Sequence, residues 1–267
     1  MSEQRHDENR FGGVTRLYGQ REMGYIRKAH VAVVGIGGVG SWAAEALARS
    51  GVGRITLIDM DEVCVTNINR QIHALGSTVG TSKVDVMADR IRDIHSNCDV
   101  QAIDDFLTSD TLHYLSDDLD YVIDAIDSVK HKAAMIHHCS RRKIPILCAG
   151  GAGGQTDPTA IAIRDISRTY NDPLLAKVRS FLRRHYGFSK NPKRRLGVRC
   201  IYSTQQINYP QADGSVCHQR APEEAAIRLN CEGGLGASVC VTATFGLVAV
   251  SFVLQKIIER GLRREAT

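Results

Sequence analysis

His30-Val31-Ala32-Val33-Val34-Gly35-Ile36-Gly37-Gly38-Val39-Gly40 leads directly into Ser41-Trp42-Ala43-Ala44-Glu45-Ala46-Leu47-Ala48-Arg49. The β-branched run over residues 30–35 reads as a strand, and the Ala, Glu and Leu content of 41–49 favours a helix. Between them stands a Gly-x-Gly-x-x-Gly turn. The pattern says little alone, but a strand before it and a helix after it are the setting in which it holds a nucleotide. Lacking Cβ atoms, Gly35, Gly37, Gly38 and Gly40 let the backbone approach phosphate oxygens. The helix N-terminus adds free N–H groups and the positive end of its dipole. A tight turn with no ligand is the plainer alternative.

Outward from this turn the chain alternates. Residues 54–58 form a second strand that ends in Asp59-Met60-Asp61, which sets acidic groups at the carboxyl edge of a parallel sheet. Thr81 and Ser82 open a helix whose Val84, Met87, Ala88, Ile91 and Ile94 recur at three- and four-residue steps and make one apolar face. Strands over 100–103 and 121–126 bracket a short helix at 112–115, and a helix over 128–143 precedes a strand over 144–149. This order predicts an α/β fold, a doubly wound and mostly parallel sheet with right-handed crossovers. Gly150-Gly151-Ala152-Gly153-Gly154 is a flexible turn, after which 159–166 alternates like a half-exposed strand. Residues 1–154 are therefore expected to form the nucleotide-binding domain. Residues 155–267 are expected to be a C-terminal appendage packed into the same globular unit.

Asp59 stands about twenty positions after the turn, where an acidic side chain takes ribose hydroxyls. Up to this point an NAD-dependent dehydrogenase and an ATP enzyme fit equally well. The next residues separate them. Asn67-Ile68-Asn69-Arg70 is followed by Lys83 at the head of a helix, and Asp124-Ala125-Ile126-Asp127 ends the strand over 121–126. Hydride transfer has no need of Arg70 and Lys83 near the phosphates, whereas adenylation does. Attack on an α-phosphate builds negative charge on phosphoryl oxygens and on departing pyrophosphate, which cations and Mg²⁺ stabilise. Asp127 is the candidate Mg²⁺ anchor. Taken singly, Arg70 and Lys83 also suit solvated surface positions, and Asp127 also suits a cap for the helix at 128.

These residues together resemble the ubiquitin-activating enzyme superfamily over about residues 10–154. The resemblance implies ATP as cofactor, with Gly35 to Gly40 as its phosphate turn, Asp59 as its ribose partner, Asn67 and Arg70 as the Asn-x-x-Arg motif, Lys83 as a phosphate contact and Asp127 as the Mg²⁺ ligand. It also implies a homodimer in which an N-terminal arginine, here Arg16, reaches the partner's site. Arg16, Arg70, Lys83 and Asp127 are then the catalytic set. Over nearly the full length, including 58–67 and Thr242-Ala243-Thr244-Phe245-Gly246, the chain resembles the family of bacterial tRNA threonylcarbamoyladenosine dehydratases. That likeness implies activation of the threonylcarbamoyl carboxylate by ATP and ring closure by the neighbouring urea, with AMP released. The implied partner is the anticodon arm of tRNA, with a cysteine desulfurase system as a second candidate partner. Two other activities stay open: activation of a sulfur-carrier protein ending in Gly-Gly, and non-catalytic partnership with tRNA or a desulfurase.

Composition bounds the rest. A chain of 267 residues that is 43% hydrophobic can bury a sizeable core, and a net charge of +5 permits a polyanionic partner without demanding one. The charge is concentrated. Between Pro173 and Ala212 there is no Asp or Glu, yet Arg183, Arg184, Lys193, Arg194 and Arg195 lie there, the candidate RNA-binding residues. Phe181, Tyr186, Phe188 and Tyr202 are interleaved among them, either to stack on loop bases or as core. The polar N-terminus and scattered cysteines point to a reducing, cytoplasmic setting. No Cys-x-x-Cys pair occurs, so zinc is not expected. Residues 233–255 carry no charge. Ser238, Thr242, Thr244, Gly246 and Ser251 interrupt this apolar stretch as in a helix packed closely on another, with membrane association of 236–254 as the lesser alternative. Cys231, just before Gly233-Gly234-Leu235-Gly236, reads as a small buried residue or a reactive thiol.

Overall fold

The computed structural model describes residues 3–211, 213–219 and 235–266, with side chains from Asn9 onward. Cys231, Gly233 and Gly234 lie outside the described residues. Helices α1 (Glu3–Tyr18) and α2 (Gln20–Lys28) precede the core alternation of β1 (His30–Val34), α3 (Gly40–Arg49), β2 (Arg54–Ile58), α4 (Lys83–Ile94), β3 (Asp99–Ile103), β4 (Tyr121–Asp124), α5 (Val129–Arg142) and β5 (Ile146–Ala149). Then follow β6 (Ile161–Asp165), α6 (Pro173–His185), β7 (Arg199–Ser203), the short pair β8 (Tyr209–Pro210) and β9 (Val216–Cys217), and α7 (Val239–Glu265).

Seven strands form one sheet in the order β3-β2-β1-β4-β5-β7-β6, parallel except for β6, which runs antiparallel to β7. The order reverses between β1 and β4, and in such sheets the crevice at that reversal, outside the carboxyl ends of the strands, is where ligands bind. The register levels those ends. Val34 pairs with Ile58 on one side and Asp124 on the other. Beyond them Gly35 donates to the Ile58 carbonyl at 2.9 Å and Ala125 to the Val34 carbonyl at 2.8 Å. The residues after Gly154 continue the same sheet, because β7 pairs with β5 and brings β6 with it.

Three strand limits read from sequence shift by local geometry. At Gly35 the chain leaves β1 with φ of 86°, and β4 stops at Asp124 so that residues 125–127 turn into the crevice. Ile144 follows the end of α5 and precedes β5, where Lys143 takes a left-handed φ of 60° and Ile144 donates back to the Cys139 carbonyl.

The sheet buries both faces, as its near-continuous apolar strands require. On one face β1 and β2 pack with α3, α4 and α7, and on the other α5 and α6 cover β4, β5 and β7. Helix α7 is the one described helix long and apolar enough to cross a membrane, and half of its apolar window is buried inside the fold. Val241, Phe245, Ala249, Val250, Val253 and Leu254 are core residues. A Cβ at Gly246 would come within 2.7 Å of the Val39 carbonyl and 2.8 Å of the Ala43 nitrogen, so α7 lies backbone-close on the start of α3. This contact ties the C-terminal helix to the glycine turn.

Candidate active site

A cleft of about 590 Å³ opens at the β1–β4 reversal. Its walls are the glycine turn, Asp59 and Asp61 after β2, Arg70 and Gln71, Lys83 at the head of α4, Ile126 to Ser128 and His131 after β4, and the Gly150–Gly153 turn. Leu235, Ala237 and Thr242 close it from the C-terminal side. The glycine turn after β1, Asp59, Arg70 and Lys83 between β2 and α4, and Asp127 after β4 thus meet in one place, brought there from three connections of the sheet.

The glycines differ in what they do. A Cβ at Gly40 would sit 1.8 Å from the Gly35 carbonyl oxygen, so Gly40 is required by the turn itself. At Gly37 the nearest atom would be Gln71 Nε2 at 3.9 Å, and the space in front of it belongs to the cleft. At Gly38 the neighbours are the Thr242 methyl at 3.3 Å and the aliphatic stem of Arg70 at 3.4 Å.

The Asp59 carboxylate accepts from the Ile36 N–H at 2.6 Å and the Asp61 N–H at 2.9 Å, which locks it beside the turn. Burial pushes this carboxyl above the usual carboxylate range, and Lys83 together with the two N–H donors draws it part of the way back. Lys83 is buried at 5% exposure, with its Nζ 2.7 Å from Asp61 Oδ2. It is not a solvated surface charge. Arg70 Nη1 donates to the Thr66 carbonyl at 2.7 Å and to Asn69 Oδ1 at 2.9 Å, and the Arg70 carbonyl accepts from Trp42 Nε1 at 3.0 Å. These contacts hold the guanidinium at the rim.

Asp127 lines the cleft as an exposed carboxylate. The residue at the start of α5 is Ser128, which makes no side-chain cap hydrogen bond there, and Asp127 faces the crevice. Mg²⁺ is commonly held by one or two carboxylates plus substrate phosphates, and the exposed Asp127 in the same cleft as the glycine turn suits that arrangement.

Two candidates do not line the cleft. Asn67 is buried, and its Oδ1 accepts from the Cys64 N–H at 3.0 Å, so it shapes the loop that carries Arg70. Arg16 is exposed in the last turn of α1, outside the cleft of its own chain.

Other residues were not evident from sequence. Gln71 directly follows the Asn-x-x-Arg motif, lines the cleft and keeps a buried Oε1 without a hydrogen-bond partner. Asp124, read as one of an acidic pair at the strand end, is wholly buried and bound to the equally buried Lys132 at 2.7 Å. Burial raises the Asp124 carboxyl, and Lys132 offsets that only in part. Burial acts to lower the Lys132 ammonium, but its attraction to Asp124 outweighs this and leaves it raised. The pair pins the end of β4 from beneath.

The sequence model of the ThiF family matches residues 13–265. This chain belongs to the ThiF family. The ThiF-family chain is 55% identical over 256 residues to the tRNA threonylcarbamoyladenosine dehydratase of Escherichia coli, covering 96% of each. The crystal structure of that E. coli enzyme in complex with ATP superposes with a TM-score of 0.85 at 51% identity, covering 96% of each chain. The structure with AMP matches at the same TM-score and identity, again over 96% of each chain.

In this ThiF-family fold the basic stretch divides. Arg183 and Arg184 lie in the last turn of α6, and Lys193, Arg194 and Arg195 lie in the loop before β7. Arg184 and the three loop residues are exposed, while Arg183 is half-buried and donates to the Ser189 carbonyl at 3.1 Å. Of the aromatic residues read there either as stacking candidates or as core, Tyr202 is core and the other three are half-buried. Tyr202 is fully buried, and Phe181, Tyr186 and Phe188 pack against the cluster between α5, α6 and β7. The amphipathic period of α6 turns its apolar residues inward and leaves the charges outside.

Proposed function

We propose that this protein uses ATP to cyclise the threonylcarbamoyl group of threonylcarbamoyladenosine in tRNA. The observation that carries this reading is a cleft in which Asp59, Arg70, Lys83 and Asp127 surround a phosphate-binding turn, in a chain alike from end to end to a dehydratase of that name. The substrate carboxylate attacks the ATP α-phosphate, and the α–β phosphoanhydride bond breaks with release of pyrophosphate. Ring closure by the neighbouring urea then breaks the acyl–phosphate bond and expels AMP, so the oxygen lost from the substrate leaves on AMP. The second step is intramolecular, and the high effective concentration of the urea makes an enzyme nucleophile unnecessary.

Each residue takes a role in this scheme. Asp59 holds the ribose hydroxyls, and Lys83 and Arg70 offset charge on the phosphates. Asp127 would hold Mg²⁺, which would supply positive charge against the phosphates there. Arg16, which does not line the cleft of its own chain, serves the partner subunit of a homodimer. Arg183, Arg184, Lys193, Arg194 and Arg195 grip the phosphates of the tRNA anticodon arm, and the reaction takes place in the cytoplasm.

The test is AMP release with ATP, Mg²⁺ and tRNA that carries or lacks the threonylcarbamoyl group. Release that depends on the modification supports the proposal. Pyrophosphate exchange driven instead by a small protein ending in Gly-Gly would favour sulfur-carrier activation, and tRNA binding without ATP consumption would favour a non-catalytic partner.

A further inference from the structure

A second cavity, of about 420 Å³, adjoins the cleft across the Gly150–Gly154 turn, and no step of the scheme above uses it. The two spaces share a wall. Asp172 and Pro173 line the second cavity and Leu174, next in sequence, lines the cleft. Asp172 Oδ2 accepts from the Gly151 N–H at 3.0 Å and its Oδ1 from the Leu175 N–H at 2.9 Å. On the far side Ile207, another lining residue, lies so close to Gly154 that a Cβ there would come within 2.6 Å of its methyl.

The lining has the chemistry of a nucleobase site. Tyr170, Tyr209 and His218 supply aromatic rings, and Asn171 and Gln206 supply amides, which carry both donor and acceptor for base edges. Tyr170 is 47% exposed although it sits edge-on to the buried Tyr202, with centroids 5.7 Å apart, and has the Arg164 guanidinium 5.9 Å from its own centroid. Asn171 holds a left-handed φ of 55°, and its Nδ2 donates to the Thr204 carbonyl at 2.9 Å. Asparagine tolerates that conformation better than most residues, and such outliers concentrate at binding sites.

The charges argue against a phosphate. The Asp172 carboxylate is spent on two N–H donors. Arg179 also lines the cavity, but its Nη1 donates to the Ile166 carbonyl at 2.8 Å and the Thr169 carbonyl at 3.3 Å. Arg164 is exposed but stands over the Tyr170 ring, and a larger group of exposed cations lies on α6 and the loop after it. This is the division found in readers of single-stranded RNA, with phosphates held on a basic surface and a splayed base stacked on an aromatic ring.

We propose that this cavity receives the base of a nucleotide flanking the modified adenosine, stacked on Tyr170 and met at its edge by Asn171 and Gln206. The inference rests on the tRNA reading above. It adds a subsite that lets the enzyme recognise an anticodon loop with its neighbouring base turned out, beyond the modified nucleoside alone.

The test uses the full-length enzyme and a threonylcarbamoylated anticodon stem-loop, with an abasic residue introduced in turn on each side of the modified adenosine. Tyr170→Ala is expected to raise KM for the intact stem-loop about tenfold, the order of a lost base–aromatic stack, with kcat and the KM for ATP kept. Tyr170→Phe should retain wild-type KM. One of the two abasic substrates should reproduce the loss on wild-type enzyme, and combining it with Tyr170→Ala should add nothing further. Full wild-type KM in Tyr170→Ala, or losses that multiply for both abasic positions, would overturn the subsite while leaving the dehydratase reading intact. A wild-type enzyme that releases no AMP on the intact modified stem-loop would overturn both.

Discussion

Replacing Lys83 with alanine separates the catalytic from the structural worth of one buried cation. Its structural partner, Asp61, is 58% exposed, so water resolvates that carboxylate when the ammonium is gone. The desolvation cost of the buried ammonium disappears with it, which offsets the lost attraction to Asp61. The cleft side is different. A phosphate oxygen about 4 Å from an ammonium gains roughly 4 kcal/mol at an effective dielectric of about 20, and loss of one preorganised donor to developing charge costs about 10²–10³ in turnover. Lys83→Ala should therefore reduce AMP release at least about a hundredfold in single-turnover assays while its melting temperature stays close to wild type. A second signature comes from Asp59. Burial already raises that carboxyl and Lys83 draws it down, so without Lys83 it rises further and is protonated at a higher pH. If the ribose partner must be ionised, the acid limb of the rate profile moves to higher pH in the variant. Near wild-type turnover, or a fall in rate that merely tracks lost stability, would refute the reasoning.

The other expectations follow from the same geometry. Gly37→Ala should melt like wild type yet lose ATP affinity, because its Cβ enters open cleft, whereas Gly40→Ala should be destabilised by at least about 1–3 kcal/mol because its Cβ meets the Gly35 carbonyl; melting with and without ATP distinguishes them. Lys132→Met should cost about 3–5 kcal/mol by stranding Asp124. With Lys132 gone the buried carboxyl rises further, so the folded state keeps a proton that the unfolded chain releases, and the deficit should be smaller near pH 5 than near pH 8 in melting experiments. His73 is 1% exposed and held down to about 4 by burial and by Lys83 and Arg90, so the stability tied to its neutral form is present above about pH 6.5 and lost as the pH falls toward 4; this pH dependence should disappear in His73→Phe. Neutralising Arg184, Lys193, Arg194 and Arg195 together should weaken tRNA binding and flatten its salt dependence while ATP affinity is spared, as titrations over a salt series would show.

The phosphate turn was legible because its information is local: strand, glycines and helix are contiguous, and Asp59 and Lys83 follow at the ends of the next elements. The parallel sheet followed from the same alternation. The closing wall was not legible, since Leu235, Ala237 and Thr242 reach the cleft only because α7 packs back onto α3 through Gly246. Lys132 was equally hidden, because a lysine in a helix reads as solvated and only the tertiary fold sets it against Asp124. The aromatic residues between 181 and 202 were open to two readings because their spacing near cations suits a stacking surface as well as a core, and only the orientation of α6 decides. Tyr170, nearly half exposed beside the second cavity, carried no signal in its neighbours that set it apart.

The central claim is that this chain activates a tRNA-borne carboxylate by adenylation. The direct measurement is to label the threonylcarbamoyl carboxylate of the tRNA with heavy oxygen, incubate it with the protein, ATP and Mg²⁺, and weigh both the AMP and the modified nucleoside. Adenylation followed by ring closure predicts one labelled oxygen in AMP and a nucleoside lighter by one water. Label found in inorganic phosphate, or ATP consumed with the nucleoside unchanged in mass, would contradict it.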